Sequence, residues 1–166
     1  MQTTPTLRFE DRIENPMTEL LEGHPFFKGM TRRELKVFAD AGIYCEFEPG
    51  EIIFREGDAA NHFYLVIEGE IALETVEPVR GTFVLQTIGK NQVLGWSWLF
   101  PPYQWHFSAR SSDATEAIVF PAELLRDKAE QNHDFGYELI TRVSRLLLQR
   151  LQETRLLLVD FYGFPR

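Results

Sequence analysis

The period of the apolar residues changes at Gly42, and that change governs the fold. Before it, Thr31 stands three residues ahead of Glu34, the arrangement of a capping box, and Leu35, Phe38 and Ala39 follow at helical spacing. Pro16 to Gly23 reads as a shorter helix, with proline at its start and glycine at its stop. After Gly42 the segments become short and strand-like. "IYCEFEPGEIIFREGD" holds two strands broken at Pro49-Gly50 and Gly57-Asp58. "HFYLVIEGEIALETV" is a strand, a turn at Glu68-Gly69 and another strand, and alternation places Phe63, Leu65 and Ile67 on an inward face. "TFVLQTIG" and "QVLG" add two strands, and "HFSARSSDATEAIVFP" two more around Ser111 to Ala114. Many short strands at close spacing predict a mainly β protein, an antiparallel β-sandwich or jelly-roll barrel flanked by N-terminal helices and one long C-terminal helix.

Three regions follow: an arm over residues 1–15, a barrel with its helices over 16–133, and a long helix over 134–160. The arm is polar, with Leu7, Phe9 and Ile13 scattered through it, and is expected to be loose. Ala122 to Asn132 is a helical segment. The long helix begins near Asp134 and runs about six turns at 3.6 residues per turn. It carries Ile140, Val143, Leu147, Leu151 and Leu158 along one stripe, with Arg142, Arg145, Arg150 and Arg155 on the wetter side. A helix this long with a sustained apolar seam predicts a homodimer through those five residues.

The glycines carry a resemblance. "GEIIFREGDAANHFYLVIEGEI" is similar to the core of the cyclic nucleotide-binding domain family, with Gly50, Gly57, Tyr64 and Gly69 at the family's spacing. Gly89, Gly95, the helix "TRRELKVFADA" and the long final helix agree with it. The resemblance implies a phosphate-binding cassette, F-G-E-x-A-L followed by P-R-x-A-[ST]. There a helix N-terminus and an arginine hold the cyclic phosphate while the glutamate takes the ribose hydroxyl. The cassette maps onto "LGWSWL…WHFSAR". Leu94 and Gly95 match the F-G step, Trp96 replaces the glutamate, Ser97 and Trp98 follow, and Leu99 matches the leucine. Trp105 and His106 fall where the arginine and serine belong.

Losing both anchors costs on the order of 1.5–3 kcal/mol for the phosphate contact and more for the ribose. At about 1.4 kcal/mol per power of ten, cyclic AMP or cyclic GMP is weakened by roughly two to four powers of ten. No tight cyclic nucleotide binding is therefore expected, unless a longer loop slides Arg110 into the arginine slot. The tryptophans either line an aromatic slot for another small ligand or plug the pocket themselves.

Other chemistry is thinly represented. His24, His62, His106 and His133 are scattered without metal-ligand spacing, and no cofactor or metal is expected. Cys45 cannot form an internal disulfide, which points to a reducing compartment. Glu46, Glu48, Glu51 and Glu56 form a solvated acidic patch. No leader-like or membrane-spanning run is present, so a soluble, cytoplasmic, non-enzymatic protein is expected. With 17 basic and 25 acidic residues, a net charge of −8 opposes DNA binding by this chain itself. The resemblance implies a regulatory or sensory module, dimeric through its last helix and read by an unidentified protein partner. A ligand-independent interaction subunit on the same fold is the alternative.

Overall fold

A computed structural model describes residues 16–163. The arm over residues 1–15 lies outside the described residues. Two antiparallel four-stranded sheets form the β framework. One runs in the order β1 (Ile43–Phe47), β8 (Thr115–Pro121), β3 (His62–Glu68), β6 (Val93–Leu94). The other runs β2 (Ile52–Phe54), β7 (Ser108–Ser111), β4 (Glu70–Glu77), β5 (Gly81–Gly89). Apart from the β4–β5 hairpin, consecutive strands cross between sheets, which gives the jelly-roll-like sandwich that the strand pattern predicts.

The helices before the barrel form where the caps place them. Helix α1 spans Pro16–Glu22 and α2 spans Arg32–Ala41. Thr31 Oγ1 accepts from the Glu34 N–H while Glu34 accepts from the Thr31 N–H, so the capping box is complete. Leu35, Phe38 and Ala39 are the buried residues of α2. A short 3-10 turn over Pro25–Phe27 lies between them and was not foreseen. It is capped by His24, whose Nδ1 accepts from the Phe26 N–H at 3.1 Å.

Strand β3 departs from the expected one-sided pattern. Phe63, Tyr64, Leu65 and Val66 are all buried, whereas Ile67 is only half-buried. Both faces of its sheet are covered, so alternation no longer marks inside from outside. On one face Phe63 meets Phe120, Phe26 and Trp98, and Phe120 meets Phe27 and Phe38 from the helices. On the other, Tyr64 meets Phe54 and Trp105 between the two sheets. The molecule thus has two aromatic cores, one on each side of the same strand.

The described residues divide into two compact units, one ending at Arg126 and the other beginning at Asp127. In the second, the end of α3 (Ala122–Gln131) is followed by α4 (His133–Tyr162). Asn132 caps α4 by accepting from the Phe135 N–H at 3.1 Å. At 30 residues, α4 exceeds the six turns expected. A Cβ on Gly136 would lie 2.8 Å from the Ala129 carbonyl oxygen, so glycine allows the two helices to approach.

Two expectations for α4 are corrected. Val143 is buried at 1% exposure within the chain, so it is withdrawn from any seam with a second copy. Arg142 and Arg150, expected on the wet side, are buried at 8% and 6%. Each finds a carboxylate one turn away, Glu138 at 2.6 Å and Glu153 at 3.2 Å, while its aliphatic stem is covered. Arg145 and Arg155 are exposed as expected, and so are Ile140, Leu151 and Leu158.

Candidate functional site

The segment after β6 turns sharply at Gly95, whose φ is +77°. No helix follows: residues 96–99 form a turn in which the Leu99 N–H donates to the Trp96 carbonyl at 3.0 Å. The chain returns along residues 57–60. The Ala60 N–H donates to the Tyr103 carbonyl (2.7 Å), the Gly57 N–H to the Trp105 carbonyl (2.8 Å), and the Trp105 N–H to the Asp58 carbonyl (2.9 Å). These bonds aim the Trp105 side chain between the two sheets.

Trp105 is 2% exposed. Its ring stacks on Phe54 at 3.9 Å with 7° between planes, and Tyr64 and Phe107 stand at 6.3 Å. Its other neighbour is Gly95: a Cβ there would collide with the indole Cζ3 and lie 2.9 Å from Cη2. Gly95 therefore serves two ends, a left-handed backbone and room for the indole. The Trp105 side chain is a packed part of the core.

The other two tryptophans part company. Trp96 is half-buried, edge-on to Phe107 at 6.4 Å. Trp98, fully buried, points to the opposite face of the sheet, where it packs on Phe63 at 5.0 Å. Its indole N–H has no hydrogen-bond partner. Trp98 therefore belongs to the helix-side core rather than to the pocket with Trp96 and Trp105.

Ser97 is buried, Leu99 half-buried and His106 exposed. Arg110 lies on β7 between Ala109 and Ser111, both with 0% exposure, so its side chain leaves by the outer face of the sheet. There Nε reaches Glu74 at 3.3 Å and a terminal nitrogen donates to the Gly50 carbonyl at 2.8 Å. The structure does not bring Arg110 to the cassette.

Sequence reasoning missed Phe54, Tyr64 and Phe107, which surround Trp105, and also Arg126. Arg126 of α3 donates to the Trp98 carbonyl at 2.5 Å, and its guanidinium lies 4.2 Å from the Tyr103 ring centroid. Burial pushes the Cys45 thiol up to about 11, which disfavours the thiolate. Burial also raises the Tyr64 phenol. Among the described residues no three His, Cys, Asp or Glu side chains gather as metal ligands, and no helix is long and apolar enough to cross a membrane.

The comparisons with known proteins agree with this architecture. The family profile "cyclic nucleotide-binding domain" matches residues 44–132. A CRP-like cAMP-activated global transcriptional regulator of Mycobacterium tuberculosis is 22% identical over 87% of this chain and 62% of its own length. A cAMP-dependent protein kinase regulatory subunit of Schizosaccharomyces pombe is 34% identical over 42% of this chain and 16% of its own. The chain thus spans less than two thirds of either curated relative. A solved protein of Geobacter metallireducens described as cyclic nucleotide-binding superposes with a TM-score of 0.74 at 27% identity, covering 81% of this chain and 97% of that one. The sensor domain of the transcriptional regulator DNR from Pseudomonas aeruginosa shares the fold, with a TM-score of 0.66 at 18% identity over 82% and 91% of the two chains. With sheet order, turn glycines and family profile in agreement, this chain belongs to the cyclic nucleotide-binding domain family.

Proposed function

We propose that the chain is a non-enzymatic regulatory module whose nucleotide site is filled by its own side chain. One observation carries this reading: Trp105, at the family's arginine position, is buried against Phe54 and Gly95. An indole there offers no positive charge to a phosphate, and Trp96 offers no carboxylate to a ribose. The module then acts through other proteins, including a second copy of itself across α4, rather than through a cyclic nucleotide. A soluble, cytoplasmic setting fits the buried, unpaired Cys45. Calorimetric titration with cyclic AMP and cyclic GMP is the test. No binding is expected in the low-micromolar range, and a low-micromolar dissociation constant for either nucleotide would overturn the reading.

A second reading has its own observation. Trp96 is only half-buried and leaves part of its ring open beside Phe107. A flat apolar ligand stacking there is the sensory version of the module. A thermal-shift screen decides between them, because a ligand that binds only the native state raises the melting temperature by mass action.

A further inference from the structure

We propose that Arg126 ties the cassette loop to α3, holding the loop from within the chain where a bound ligand would otherwise organise it. This rests on the reading of Trp105 as a filled site. Two contacts and the place of Arg126 on α3 converge on the inference. The guanidinium donates to the main-chain carbonyl of Trp98 at one end of the loop. It covers the ring of Tyr103 at the other end, 4.2 Å from the centroid. Arg126 itself stands on α3, next to the buried Leu125 and at the end of the first compact unit.

Both loop ends are otherwise fixed points. Trp98 is anchored in the helix-side core. Tyr103 adopts a φ of +55°, a costly conformation for a side chain of its size. Its carbonyl accepts from the Ala60 N–H and its own N–H donates to the Phe100 carbonyl at 2.9 Å. Between these points lie Leu99, Phe100, Pro101 and Pro102, of which the last three are exposed.

One planar cation thus spans the loop, donating to a carbonyl at one end and lying over a ring at the other. Lysine cannot do both at once, since its ammonium is a point donor without a stacking face. Here the link is made by residues of the chain itself, so the loop and α3 are coupled in one standing arrangement. Arg126 is a positioning residue in this sense, and any partner that shifts α3 must strain or break its two contacts.

Hydrogen exchange read by mass spectrometry on the full chain tests the tether in wild type, Arg126→Ala and Arg126→Lys. A charge-assisted hydrogen bond is worth about 1.5–3 kcal/mol and a factor of ten costs about 1.4. Arg126→Ala should therefore speed exchange of amides 97–104 at least roughly tenfold while leaving β3 and β8 at wild-type protection. Arg126→Lys, which keeps a donor for the Trp98 carbonyl but not the ring contact, should fall between the two. Wild-type protection of 97–104 in Arg126→Ala would overturn the proposal, and so would a loss spread evenly over the whole barrel. Should Arg126→Ala fail to fold, Tyr103→Leu removes the ring alone, and an unchanged loop in that variant and in Arg126→Lys would equally overturn it. Repeating the exchange with millimolar cyclic AMP separates the two readings. Restored loop protection in Arg126→Ala would overturn the filled-site reading, whereas the tether is judged by the nucleotide-free comparison.

Discussion

Trp105 and Gly95 form a matched pair across the sandwich, and their energies should be coupled. Trp105→Ala empties a buried aromatic site and should lower stability by roughly 3–5 kcal/mol. Gly95→Ala places a methyl into the indole at a φ of +77°. Overpacking of roughly 1–3 kcal/mol then adds to a left-handed backbone cost of roughly 1–2 kcal/mol. In the Trp105→Ala background only the backbone cost should remain, and urea denaturation of the four-member cycle measures the difference. Additivity of the two changes would show that the indole does not sit under Gly95. His24 supplies a pH dependence at the same scale. Burial lowers its pKa from 6.5 to about 4, so the folded state prefers the neutral ring that caps the turn at Pro25. The unfolded chain then binds the extra proton first. The contribution is whole above pH 6.5, is lost as pH falls from 6.5 to 4, and changes no further below. The slope is at most about 1.4 kcal/mol per pH unit. His24→Asn keeps a capping oxygen but does not titrate, so its stability should fall less than wild type across that window. Parallel curves for the two proteins would remove His24 as the cause.

Helix α4 presents two apolar stripes with different fates. Phe135, Leu139 and Val143 recur every four residues and are buried within the chain. Tyr137, Ile140, Leu148, Leu151 and Leu158 lie on another face and are exposed, with Ser144 among them as a small residue. A shallow depression on that face is lined by Tyr137, Ile140, Thr141, Ser144, Arg145 and Leu148. An exposed apolar stripe of this length is costly to leave in water, and an antiparallel or parallel copy of itself is the simplest cover. Leu151→Glu should therefore convert a dimer to a monomer in light scattering at tens of micromolar. Val143→Ala should leave the mass unchanged and cost roughly 2 kcal/mol of stability. A wild type that is already monomeric at that concentration would sink the seam.

At the scale of the molecule, charge and architecture limit what the module does alone. With 25 acidic against 17 basic residues, it lacks the cationic excess that releases counterions from a duplex. The chain by itself should leave duplex DNA unshifted in a gel at low salt, and a salt-sensitive shift would contradict this. The two aromatic cores flank one sheet, and the segment from Gly95 to Trp105 contributes to both: Trp98 to the helix side, Trp105 to the space between sheets. A disturbance of that segment is therefore felt on both sides of β3.

Local chemistry was enough to place the elements. The Thr31–Glu34 box starts α2, the glycine turns bound the short strands, and the order of elements with the glycine spacing leads to the family. The cassette's place in the chain, with Trp96 and Trp105 at the glutamate and arginine positions, is an expectation that rests on the resemblance alone. The fate of its tryptophans was not legible. Alternation along a strand tells which residues share a face, but Trp98 and Trp105 lie in the irregular segment between β6 and β7, where no strand pattern assigns them a side. Burial of Trp105 depends on Phe54 and Gly95, and the role of Arg126 on a carbonyl 28 positions away. Arg142 and Arg150 read as solvent-facing because a guanidinium is costly to bury; Glu138 and Glu153 stand one turn away in the sequence, and only the folded chain shows that the two arginine stems are covered. Periodicity and capping act over one turn or one strand, and these the amino acids determine alone. What fills a pocket is decided by side chains far apart in the chain, and only their tertiary meeting decides it.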